Sequence, residues 1–224
     1  MNLSDMRSFK DNGDPAMRLV VAIRDETGRL LGELHCLDRA LAEEDGLAGD
    51  LTEWRNAART SFLTQFEARV ERTASWLQNV VLSASDRVLF IVRGIEGERL
   101  GHIGISNIAP GRAEVDNVMR GRPGGEKSLM FYSAVALIAW MFRRLAVPVV
   151  QLHVFSNNTA AIRLYERLGF EIVERSPLRR IEEPEMVRYA TDGEEGVEVD
   201  FGYLRMEIPV ARFHALHPWA PVSD

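Results

Sequence analysis

The chain has 224 residues, of which 46% are hydrophobic and 27% charged, a balance that suits one globular domain with additions. Its single cysteine, Cys36, excludes a disulfide framework and points to a reducing compartment. A formal net charge of −6 argues against a general nucleic-acid binder, which carries a basic face, while leaving room for a local basic patch.

Residues 1–15 are polar, lack an apolar signal-peptide core and read as a loose tail ending at Pro15. Met17 to Ile23 and Leu30 to Leu37 are apolar-biased runs that fit a hairpin turning at Thr27-Gly28. Asp50 to Phe66 and Ala68 to Leu82 have helical spacing, with Asp50 as a candidate cap and Glu53 three residues on. Three strands follow, Val88–Arg93, Leu100–Ile108 and Arg112–Met119, separated by turns at Gly94–Gly97 and Pro110-Gly111. A glycine-rich loop, Gly121 to Gly125, leads into a nearly all-apolar helix from about Glu126 to Leu145. Its most apolar part, Leu129 to Phe142, is too short to span a bilayer and is closed by Arg143 and Arg144. The chain is therefore expected to be soluble and cytoplasmic, with no membrane partner.

Val149 to Phe155 reads as a strand, Asn157 or Asn158 to Leu168 as a helix stopped by Gly169, and Phe170 to Glu174 as a strand. A polar loop rich in Arg and Glu precedes final strands over Val197–Ile208, and the segment 209–224, with Pro218 and Pro221, reads as irregular. Antiparallel hairpins followed by a β-α-β unit predict an α/β class: one domain over 16–208, with a central, mixed, largely antiparallel twisted sheet flanked by helices.

The loop from Gly121 to Ser128 joins a strand to a helix. Glycines let backbone N–H groups turn toward an anion, and the helix N-terminus adds a favourable dipole, so either a pyrophosphate cradle or a plain tight turn fits. The segment nearly spells a Walker A motif, but Glu126 stands where the second glycine belongs. A carboxylate there would repel the phosphates of a nucleotide, which argues against a kinase.

Residues Leu152 to Phe170, LHVFSNNTAAIRLYERLGF, decide the class. Asn158, Ala161, Leu164, Tyr165, Gly169 and Phe170 resemble the N-x-x-A-x-x-L-Y-x-x-x-G-F signature of the GNAT superfamily of acetyltransferases. The order of elements over roughly residues 31–208 is similar to that family as well. The resemblance implies acetyl-coenzyme A as co-substrate, no metal, and an amine acceptor. It implies that Arg120, Arg122, Gly124, Gly125, Lys127 and Ser128 form the pyrophosphate loop, and that Asn158 and Ala161 contact the coenzyme A arm. Lys127 departs from the family pattern, because it replaces a small residue: either it swings out to pair with a phosphate or the loop is rearranged. Tyr165 is implied as the proton donor to the departing thiolate; the plain alternative is a buried tyrosine. For Asn158 the default is a helix N-cap.

Such an acceptor must lose a proton before attack. Strand Arg112–Met119 offers Glu114 and Asp116, which lie i, i+2 on one strand face; side by side they would raise one pKa, and the plain alternative is a solvated strand face. His102 is a third candidate base, His153 is expected to be packing, and His214 and His217 lack a third metal ligand nearby. The expected acceptor is a small-molecule amine, with a nucleotide-linked amino sugar as one form. Arg55, Arg59 and Arg179-Arg180 would then be its phosphate contacts, or solvated surface residues. A protein N-terminus as acceptor and a non-catalytic acyl-coenzyme A module are the alternatives, and a homodimer is compatible with the sequence.

Overall fold

The computed structural model describes residues 9–11, 14–191 and 195–220. Its elements run β1 (Val20–Arg24), β2 (Leu30–Cys36), α1 (Arg39–Ala42), α2 (Leu47–Ala57), β3 (Thr64–Phe66), α3 (Val70–Trp76), β4 (Val88–Gly94), β5 (Arg99–Ala109) and β6 (Arg112–Arg120). They continue α4 (Leu129–Leu145), β7 (Val149–Phe155), α5 (Thr159–Leu168), β8 (Glu171–Glu183), β9 (Met186–Ala190), β10 (Val197–Pro209) and α6 (Val210–Leu216). The strands form one sheet in the order β1-β2-β4-β5-β6-β7-β10-β8-β9-β3. Only β6 and β7 pair in parallel; the other neighbours are antiparallel. This is the α/β class with a mixed, mostly antiparallel sheet.

Alternation along the strands creates two apolar layers, one on each face. Ile103, Ile105, Ala113, Val115, Val150, Leu152, Leu204 and Met206 point toward α4 and α5 and build the larger core. Leu89, Ile91 and Met119 point the other way and meet Leu41 of α1, Leu51 and Trp54 of α2, and Leu77 of the π-helical segment Leu77–Leu82 that continues α3. Helix α4 is buried along most of its length, which is why its sequence is apolar almost all round. Among the described residues no helix is long and apolar enough to cross a membrane.

Helix α5 follows its sequence signals closely. Asn158 caps it, with its side-chain oxygen accepting from the Ala161 N–H at 3.2 Å. Gly169 ends it at φ 101°, a left-handed conformation that a side chain would strain.

Elsewhere the fold departs from the sequence reading. Helix α2 starts after Gly46 rather than at Asp50. Asp50 sits buried in the first turn, accepting from Arg99 Nε at 2.7 Å and from Arg122, so it serves as a charge partner and not as a cap. The expected helix through Phe66 stops at Ala57, because Thr64–Phe66 pairs with Arg188–Met186 as an edge strand. The Arg- and Glu-rich stretch after Glu174 is not a loop: it is the β8–β9 hairpin, whose charged side chains project from half-exposed strands. Val210–Leu216 is a helix seated on the main core through Phe213, not an irregular tail. The tail expected over 1–15 lies partly outside the described residues. Within them, Phe9 packs against the main core and Lys10 is buried, donating to the Val81 carbonyl at 2.8 Å.

Candidate active site

The parallel ladder between β6 and β7 pairs Arg112, Ala113 and Glu114 with Val149, Val150 and Gln151 and goes no further. Beyond it the strands separate, leaving a gap in the middle of the sheet between Val115–Arg120 and Leu152–Phe155. A bulge sharpens the divergence. Gly104 faces Asp116 and His102 faces Met119, so Asn117 and Val118 together oppose Ile103. Asn117 takes a left-handed φ of 51° there. His102 Nδ1 lies 2.7 Å from the Asn117 carbonyl; a carbonyl only accepts, so Nδ1 carries the proton. The ring stacks on Trp54 at 6.1 Å.

His102 therefore pins the bulge through Nδ1. Burial pushes its pKa down to about 4, against the Asn117 carbonyl, which favours the charged ring; Arg55 adds a smaller push down. The sign of the consequence is fixed. The unfolded chain takes up a proton near the ordinary value of 6.5 while the folded one resists until about 4. Stability present above pH 6.5 is thus lost as pH falls through that window, by on the order of 3 kcal/mol at about 1.4 kcal/mol per unit. Denaturant midpoints measured from pH 7 to 4 should fall less steeply in His102→Gln than in the wild type.

The two candidate carboxylates, on one face as their spacing predicts, have different partners. Glu114 is buried and accepts from Asn107 Nδ2 at 2.9 Å and Gln151 Nε2 at 3.4 Å, and bonds His153 Nδ1 at 2.8 Å. Burial works against its charge, but these hydrogen bonds, led by His153, outweigh it and hold its pKa below the usual range. His153 is thus a hydrogen-bond partner of Glu114 and not mere packing. Asp116 is half-buried beside the gap, 3.6 Å from Arg87. Burial raises its pKa, Arg87 opposes that, and the Glu114 charge adds to it. Of the two, Asp116 is the one whose pKa is raised and Glu114 the one whose pKa is lowered.

Tyr165, on α5, is near enough to Asp116 for that charge to act on it. It is buried, its ring packs edge-on to Phe170 at 6.2 Å, and its hydroxyl has no hydrogen-bond partner among the described residues. Burial, then the Asp116 charge, drives its pKa up, so the hydroxyl keeps its proton. Tyr203, on β10, is a residue the sequence reading missed. It stacks on His153 at 5.1 Å, and its pKa is raised by burial, Glu114, Asp116 and Tyr165 in turn. An aromatic on the polar face of β10, opposite the apolar Leu204 and Met206, was the available signal.

The loop after β6 carries the expected phosphate residues in a mixed state. Gly124 and Gly125 both have positive φ, 130° and 58°, which turns the backbone tightly ahead of α4. That helix begins at Leu129, not near Glu126, and Ser128 at its N-cap makes no side-chain cap. Its first-turn N–H groups are left without a side-chain partner. Lys127 is exposed and makes no ion pair among the described residues. Arg120 folds back onto the Gly124 carbonyl, and Arg122 is committed to Asp50. Ala161 packs against the main core, and its N–H is taken by the Asn158 cap.

On the helical face a cavity of about 330 Å³ opens between the α2–β3–α3 segment and the bulge. Its walls include Arg55, Phe62, Phe66, Arg72, Arg87, His102 and Asn117. Arg87 connects it to Asp116. Arg55, expected as a solvated surface residue or a phosphate contact, is half-buried in this wall and donates to the Thr64 carbonyl at 2.9 Å. Arg59 is exposed, Arg179 donates to the Gly196 carbonyl at 3.1 Å, and Arg180 pairs with Glu182.

A family model described as an acetyltransferase (GNAT) domain matches residues 37–171, more than half of the chain. A search among curated proteins finds no match. Among solved structures, one similar fold is a Salmonella typhimurium acetyltransferase that modifies the N-terminal serine of ribosomal protein L7/L12. It has 15% identity and a TM-score of 0.63, with 86% of this chain and 99% of that chain covered. Another is spermidine N-acetyltransferase from Vibrio cholerae, in complex with coenzyme A and spermine, at 17% identity and a TM-score of 0.59, covering 82% and 98%. A third is FdhC, described as a nucleotide-linked sugar GNAT, at 10% identity and a TM-score of 0.57, covering 78% and 88%. The split sheet, the loop ahead of α4 and the signature helix α5 all lie within or beside the matched region, and the chain belongs to the GNAT acetyltransferase family, as an acyltransferase of the acetyl-coenzyme A type.

Proposed function

We propose that this protein acetylates the primary amine of a small molecule, with Asp116 accepting the proton of the ammonium group and Tyr165 supplying one to the departing thiolate. The observation that carries the reading is the meeting of an acid and a base at one gap. Asp116 has a raised pKa, and its charge adds to the burial that keeps the proton on Tyr165. An amine held in the cavity would approach past Arg87 to Asp116. When bound, the thioester supplies the activated acetyl group.

The donor side fits coenzyme A in kind. The β7-facing edge of β6 is unpaired beyond Glu114, which suits an amide-bearing arm, and the uncapped start of α4 behind two positive-φ glycines suits a pyrophosphate. Lys127 is positioned to add charge there, while Arg122 would first have to leave Asp50. Residues around β3, tied to β9, wall one side of the cavity. That enclosure supports a small amine over a protein N-terminus.

Calorimetric titration with acetyl-coenzyme A tests the donor half. Wild type should bind. Lys127→Ala should weaken binding several-fold, and Asn158→Ala should cost about 1 kcal/mol of stability by loss of the helix cap. No binding by the wild-type protein would sink the proposal.

A further inference from the structure

The cavity is unusual in its charge. Three guanidinium groups line it, those of Arg55, Arg72 and Arg87, and no carboxylate does. The protein as a whole has a net charge of −6, so the excess of positive charge at this wall is local. Arg87 is partly balanced by Asp116 at 3.6 Å. Arg55 and Arg72 have no carboxylate partner among the described residues. They lie over the Phe66 ring at 4.6 and 3.7 Å, and Arg55 also covers Phe62 at 4.1 Å. Burial and the neighbouring Arg72 both work against the Arg55 charge. His102, the remaining titratable group in the wall, is neutral at pH 7 and offers no compensation.

An adjoining cavity makes the contrast. It shares Phe66 and Arg72, and there Arg59, Arg69, Arg72 and Arg180 are matched by Glu67, Glu182, Glu183 and Glu185. Of these two cavities, among the described residues, the inner one is lined by cations without anions. Aromatic faces ease the desolvation of a guanidinium but do not neutralise it. Two planar forks converging on one space are suited to the oxygens of a carboxylate or phosphate, which accept in pairs.

We propose that the acceptor is an amine bearing an oxyanion, carboxylate or phosphate, at the end away from its amine, and that Arg55 and Arg72 hold that group. The inference rests on the acetyl-transfer reading for the amine end, and on the cavity alone for the anion end. It separates this chain from acetyltransferases of polyamines, because a second ammonium in this wall would meet three like charges.

The test uses the full chain and four amines: 4-aminobutyrate, phosphoethanolamine, ethanolamine and putrescine. Binding is read by calorimetry and turnover by thiol release from acetyl-coenzyme A. The anionic amines should be preferred over ethanolamine and putrescine by about tenfold or more in kcat/KM. Arg72→Gln is an exposed change that should leave folding intact, and it should collapse that preference through KM. Arg55→Gln should do the same. The better of the two anionic amines tells whether the site prefers carboxylate or phosphate. A preference for putrescine, an unchanged preference in Arg72→Gln, or no binding of either anionic amine at millimolar concentration would each overturn the proposal. Anionic amines that bind, lose binding in Arg72→Gln and yet release no thiol would keep the anion site and overturn acetyl transfer instead.

Discussion

Asp116→Asn is expected to lower kcat/KM by about 10²–10³-fold, within the range that a positioned base contributes. The substitution preserves shape and removes only the ability to take up a proton. Because the carboxylate must be ionised to act, activity should fall as pH falls through its raised pKa, and the Asn variant should lose this acidic limb. Burial, reinforced by Glu114 and opposed by Arg87, moves that limb toward neutrality. The Arg87 ion pair is partly solvated, so its loss should cost no more than about 1 kcal/mol of stability. A pH profile of thiol release for both proteins checks the claim, with acetyl-coenzyme A affinity as the control. An unchanged acidic limb in the variant would remove Asp116 from the role.

The second large effect is expected from Tyr165→Phe: a loss of about 10²-fold in kcat with KM for the acceptor nearly unchanged, toward the lower end of general acid catalysis. The lower end is the physical expectation because a thiolate, with a free pKa near 8.5, leaves with less help than an alkoxide or amide ion. The ring contact with Phe170 survives the change and the hydroxyl has no partner to orphan, so stability should move by less than about 0.5 kcal/mol. Since the folded protein holds the Tyr165 proton well above the ordinary value, Tyr165 should contribute no alkaline limb in the accessible range. Tyr203→Phe is the informative comparison, because that hydroxyl shares the gap. A large loss in Tyr203→Phe with none in Tyr165→Phe would move the acid role to β10.

The elements that sequence patterning exposed are those whose reasons are local. Asn158 and Gly169 bracket α5 as cap and stop, and the all-apolar α4 announces burial on more than one side. What stayed hidden depends on partners remote in sequence. Asp50 looked like a cap because its Arg99 and Arg122 partners lie on another hairpin and a later loop. Thr64–Phe66 continued a helical pattern until Arg188–Met186 supplied a ladder. The site divides the same way. Glu114 and Asp116 were visible as a pair through their strand spacing, but nothing in that spacing says that one would be tied to His153 and the other raised beside Arg87. Arg55 read as a surface charge because the two phenylalanines it lies over come from the turn and edge strand after its own helix.

The edge strand β3 also sets an order of assembly. The gap, the loop and α5 are built from segments that follow one another along the chain, and their contacts close short loops. The cavity wall depends instead on three paired residues of β3 and β9, separated by most of the chain's length. So short a ladder at a sheet edge belongs to the part of the protein that opens first and closes last. Damage to β9 that frees β3 should accordingly be read out as lost acceptor recognition in a protein that still grips its donor.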